Sequence, residues 1–152
     1  MFLDKQVWGR GVLLEDYGSI PIEENPVFYV QYAHARLASV FREAEKKGIG
    51  LPEDLSAVDL GPLSEEEIAL ARKLVNLPDV IRGAVESLEP HRVPFYLLEL
   101  AGDFHRYYNK PSNRIISEQR ELSLARLFLA RLLMGGINSG LELMGVSAPD
   151  RM

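Results

Sequence analysis

Apolar side chains recur in steps of three and four through NPVFYVQYAHARLASV and its continuation. At about 100° per residue, Val27, Val30, His34, Leu37, Phe41 and Ala44 share one side of a helix, which is therefore the side that builds a core. Asn25 suits its N-cap, Pro26 its opening turn, Lys46 and Lys47 its last turn, and Gly48 its termination. Tyr29, Tyr32 and Arg36 fall on the far side. Two aromatics and a guanidinium thus project together from a helix already committed elsewhere.

The rest of the chain is read the same way. Residues 1–24 mix apolar and charged positions without a face and contain Gly9, Gly11, Gly18 and Pro21, so they read as a lead-in segment. Residues 50–63 form a surface loop. Ser64 and Glu67 make a capping box that opens a second helix, burying Ile68, Ala71, Leu74 and Val75 and ending near Leu77; Glu65 to Glu67 read as its capped, solvated start. Pro78 breaks the chain, and residues 79–88 predict a short third helix with Val80, Ile81, Ala84, Val85 and Leu88 inward. A fourth spans residues 93–108, burying Leu97, Leu100, Ala101 and Phe104 before the stripe emerges as Tyr107 and Tyr108. Residues 109–116 form a loop. Ser117 can cap a long fifth helix to about Ser139, whose Leu, Ala and Phe content predicts burial on most sides. No repeat or strand pattern intervenes, so the expected fold is all-α: a bundle of about five helices over residues 25–152.

Composition narrows what such a bundle does. With 152 residues the chain can bury a single core. It has no cysteine, which excludes disulfides, thiolate metal sites and cysteine nucleophiles. No apolar run approaches the roughly 20 residues that span a bilayer, so no membrane partner is expected and the cytoplasm is the expected compartment. A formal charge of −5 argues against coating nucleic acid by bulk electrostatics, and no DNA partner is expected. Charge is unevenly placed, however. Residues 101–131 hold six basic side chains (Arg106, Lys110, Arg114, Arg120, Arg126, Arg131) against three acidic ones (Asp103, Glu118, Glu121), a local balance of +3 where a polyanion could dock.

Catalytic groups are scarce. His34, His91 and His105 lack metal-ligand spacing; His34 lies on the apolar side of its helix and reads as a core histidine, while His105 follows Phe104 beside Tyr108, a position that permits a surface-site role without favouring it. GIG at residues 48–50 lacks the remainder of a phosphate loop. Binding groups are better represented. Aromatic faces stack on unpaired bases, about 1–3 kcal/mol per base, and Arg pairs with phosphate or stacks in turn. Tyr29, Tyr32 and Arg36 on one helix, with Phe104, Tyr107 and Tyr108 ending another, could make such a platform. Packing with the hydroxyl at the surface is the other reading, and the pattern does not choose between them.

Three segments also carry a family resemblance. YVQYAHAR at residues 29–36, preceded by NPVF, resembles the opening of the DALR-type anticodon-binding domain of arginyl-tRNA synthetases. LLELAGDFHRYYN at residues 97–109 and ARLFLARLLMGGINSGLELMGVSAPDRM at residues 125–152 are similar to that domain's later helix and closing helix. The resemblance implies an all-helical bundle that reads the anticodon loop of arginine tRNA. By motif position it implies RNA-facing roles for Tyr32, Arg36, Tyr108 and Met152, with Phe104 supporting Tyr108. The turn at Lys110, Pro111 and Ser112 departs from the family and is assigned no contact. The HIGH and KMSK signatures of class I synthetases do not occur in these residues. The chain alone is therefore expected not to activate arginine; ATP, magnesium and catalysis belong to the catalytic domain of the parent enzyme, which is an expected partner. The alternative is a stand-alone helical interaction module binding RNA or protein without ligase activity.

Overall fold

The computed structural model describes residues 25–152, so the lead-in expected over residues 1–24 lies outside the described part. Asn25 begins the fold: its side chain accepts from the Val27 N–H at 3.1 Å and Pro26 occupies the first turn. The described helices are α1 (Pro26–Lys46), α2 (Glu65–Val75), α3 (Leu77–Glu86), α4 (Arg92–Tyr108) and α5 (Arg120–Leu143), with short 3-10 turns at Leu55–Ala57 and Pro111–Asn113. No strand occurs among the described residues. The all-α expectation holds. None of these helices is long and apolar enough to cross a membrane.

α1 packs against both α4 and α5, α2 against the same two, and α3 against α4. Val30, Ala33, Leu37, Leu97, Leu98, Leu100, Phe104, Ile137 and Leu141 are fully buried where these contacts meet. His34 lies in the core as expected, with Nδ1 3.1 Å from the Pro149 carbonyl oxygen. α1 ends as Gly48 turns at φ +65° and Ile49 N–H reaches back to the Ala44 carbonyl.

Several side chains depart from the sequence reading. Tyr29 does not project outward but is buried, because α1 is flanked by two helices and its covered side is wider than one stripe; the Tyr29 ring lies 4.6 Å from that of His105. Tyr107 is also buried rather than emergent, its hydroxyl donating to Glu67 Oε1 at 2.6 Å. Glu67 does complete the capping box with Ser64, yet it is fully buried instead of solvated. Its carboxylate accepts from Arg126 Nε at 2.6 Å as well, joining α2, α4 and α5. Burial pushes the Glu67 carboxyl up, but donors from Tyr107, Ser64 and Arg126 outweigh it and leave it below the usual carboxylate range.

Pro78 opens α3 instead of preceding it, and Val85 and Leu88 face solvent, not the core. α3 is a short helix lying along α4 and the end of α2, so only a narrow side is covered, and Leu88 falls past its end in the left-handed region at φ 56°. α5 starts two residues later than a Ser117 cap requires, with Gln119 at its N-cap. The buried Ser123 hydroxyl instead takes the Ser117 N–H at 2.9 Å and ties that turn down ahead of the helix. Near its other end a methyl group on Gly140 would come within 2.5 Å of a Leu97 methyl, so the helices approach where α5 has no side chain.

Candidate nucleic-acid interface

α1 and α4 run past one another so that Arg36 meets the last two turns of α4. Arg36 donates through one terminal nitrogen to His105 Nδ1 at 3.2 Å and to Asn109 Oδ1 at 3.0 Å. Its guanidinium carbon lies 4.6 Å from the Tyr32 ring centre and 5.3 Å from that of Tyr108, within cation–π range of both. Tyr32, Arg36 and Tyr108 are all half-buried, less exposed than a freely projecting side chain. Phe104 lies fully buried beneath, 5.4 Å from the Tyr108 ring centre.

His105 sits behind this group, 3% exposed. Because Arg36 can only donate, Nδ1 must accept, which leaves the proton on Nε2 to donate to the Tyr29 carbonyl 3.3 Å away. The ring also stacks on Tyr32 at 5.5 Å. Burial and the adjacent Arg36 charge push its pKa down to about 4, against an opposing pull from the Tyr29 carbonyl. His105 is thus uncharged at neutral pH, and can hold a cation in place without repelling it.

Four of the expected site residues, Tyr32, Arg36, Phe104 and Tyr108, come together as one layered unit. Met152 is 61% exposed at the end of a tail whose carbonyl oxygens at Ser147, Pro149 and Asp150 accept from Gln31, His34 and Arg42. That side of α1 is on the order of a third of a turn from Tyr32 and Arg36. His105 and Asn109 were not selected by sequence reasoning. Their i, i+4 spacing places them on one face of α4, but their partner lies 69 and 73 residues away.

The cationic excess over residues 101–131 is smaller at the surface than the sequence implies. Arg126 is withdrawn to the interior on Glu67, Arg106 pairs with Asp103, and Lys110 pairs with Glu66 at 2.7 Å. Arg114, Arg120 and Arg131 remain exposed. No group of His, Asp and Glu that could hold a metal occurs among the described residues. The site therefore offers stacking faces and a fixed guanidinium, the chemistry of binding an unpaired nucleotide.

The sequence profile of the DALR anticodon binding domain matches residues 30–152. Arginine–tRNA ligases of Geobacter metallireducens and Syntrophotalea carbinolica are 52% and 50% identical over 130 residues, covering 85% of this chain and 23% of each relative. The chain thus spans about a quarter of the length of these relatives. Among solved structures, the arginyl-tRNA synthetase of Thermus thermophilus is 34% identical with a TM-score of 0.68, over 82% of this chain and 21% of that one. A Campylobacter jejuni structure described as an arginyl-tRNA synthetase is 34% identical with a TM-score of 0.71, over 84% of this chain and 27% of that one. On profile, sequence and fold together, this chain belongs to the DALR anticodon-binding domain family.

Proposed function

We propose that the chain binds the anticodon loop of arginine tRNA and positions it for ATP-dependent aminoacylation by a catalytic portion outside these residues. The observation that carries this reading is Arg36, held by His105 and Asn109 between the half-exposed rings of Tyr32 and Tyr108. A guanidinium restrained in this way loses little freedom on meeting RNA, and the flanking rings offer faces to unpaired bases. The names of the relatives supply the tRNA, and the aromatic and basic layer supplies the chemistry. Met152 completes the proposed face from the tail.

Titration of the protein with arginine tRNA transcripts carrying intact or altered anticodon loops tests this. The intact transcript binds more tightly, and Arg36→Ala weakens it roughly 10- to 100-fold, the loss of about 1.5–3 kcal/mol for a hydrogen bond to a charged group. Circular dichroism shows whether the variant stays folded. Equal affinities for intact and altered loops at moderate salt would remove the reading.

A further inference from the structure

The turn after α4, to which the family resemblance assigns no contact, walls a cavity of about 400 Å³ against the C-terminal half of α1. Val40 and Ile115, both almost fully buried, give it an apolar floor. Its rim carries Lys47, which pairs with Glu43 at 2.8 Å, Lys110, which pairs with Glu66 at 2.7 Å, and the exposed Arg114, the rim cation best placed to meet an anion. The wall is fixed: Arg126 donates to the Arg114 carbonyl at 2.7 Å, and the Asn113 side chain donates to the Tyr107 carbonyl and to Glu66, each at 3.2 Å. The size falls in the range of about 300–1,000 Å³ typical of small-ligand sites. Tyr108 and Asn109 line this cavity and also meet Arg36, so cavity and platform are two sides of one wall.

We propose that the cavity is a second nucleotide subsite, which takes the unpaired nucleotide adjoining the one on the Tyr32–Arg36–Tyr108 platform. The base rests on the Val40 and Ile115 floor and the phosphate faces Arg114. An apolar floor under a cationic rim matches a nucleotide's two halves, and the shared Tyr108 wall lets one strand occupy both places. This rests on the RNA-binding reading above.

The test uses the anticodon stem-loop of arginine tRNA with one abasic position at a time, titrated into the wild-type chain, Arg36→Ala, Arg114→Ala and the cavity-filling Ile116→Trp. Two neighbouring loop positions should each cost roughly tenfold in affinity when made abasic, as expected for one stacked base. One penalty shrinks in Arg36→Ala; the other shrinks in Arg114→Ala and in Ile116→Trp. Arg114 is exposed, so its variant keeps the wild-type melting temperature, and loss of one phosphate contact lowers the log–log salt slope by about 0.7. If Arg114→Ala changes neither affinity nor slope and all abasic penalties track Arg36, the cavity takes no nucleotide while the platform reading stands. If the wild-type chain does not distinguish this stem-loop from an unrelated one, the platform reading falls and the subsite with it.

Discussion

At the scale of single residues, His105 governs how Arg36 is presented, because its Nδ1 can accept from the guanidinium only while the ring is uncharged. Among the described residues, the charged group contacting the ring is Arg36 itself, and Tyr29, Tyr32 and Phe104 supply further ring contacts. The folded-state pKa of about 4 lies below the ordinary 6.5, so between these values the unfolded chain binds a proton that the folded chain refuses. Stability is then fully present above pH 6.5 and falls as the pH is lowered towards 4. Each pKa unit is about 1.4 kcal/mol, so lowering the pH from 7 to 5 should cost about 2 kcal/mol. Urea titrations at the two values check this against His105→Gln, which keeps a donor for the Tyr29 carbonyl but does not titrate. Wild type should lose stability and His105→Gln should not; parallel losses in both would place the effect elsewhere. Glu67 adds an acid limb of its own: its lowered pKa means stability held above 4.5 and lost as the pH falls below that.

At the scale of helices, periodicity located α1, α2 and α4 to within a residue or two because their caps and apolar stripes agree: Asn25 and Pro26, Ser64 and Glu67, Leu97 to Phe104. What periodicity cannot supply is the width of a covered face, which depends on how many neighbours arrive. Two helices flank α1, so Tyr29 is covered; α3 meets α4 on a narrow side, so Val85 is not. Buried ionic partners were equally illegible, since Glu67 and Arg126 are 59 residues apart and each has an ordinary surface explanation. The glycines of α5 separate the local effect from the tertiary one. Replacing Gly by Ala in a helix interior gains about 1 kcal/mol of propensity. At Gly135 nothing lies within 4 Å of the added methyl, so Gly135→Ala should stabilise by up to that amount. At Gly140 three Leu97 side-chain atoms lie at 2.5–3.0 Å, and overpacking of about 1–3 kcal/mol outweighs the gain. Urea midpoints for the two variants should therefore move in opposite directions, and a rise for both would mean that Leu97 repacks freely.

At the scale of the whole molecule, α1 is where the chain's two ends of function meet: α4 reaches it through Arg36 and the C-terminal tail through Gln31, His34 and Arg42. The tail can act in two ways, as a cover over α1 or as a bearer of Met152, and these separate on truncation. Removing residues 147–152 deprives the buried Gln31 and His34 side chains of carbonyl partners. A stranded buried donor costs about 1–3 kcal/mol, but the same cut admits water to both, so the total should stay near about 1–3 kcal/mol rather than twice that. Removing only Arg151 and Met152 touches none of these bonds, and both residues are exposed, so the urea midpoint should not move. If Met152 belongs to the RNA face, the two-residue cut still lowers affinity for the arginine tRNA anticodon stem-loop, by several-fold, in a protein of unchanged stability. An unchanged affinity would leave Tyr32, Arg36 and Tyr108 as the face and confine the tail to covering α1.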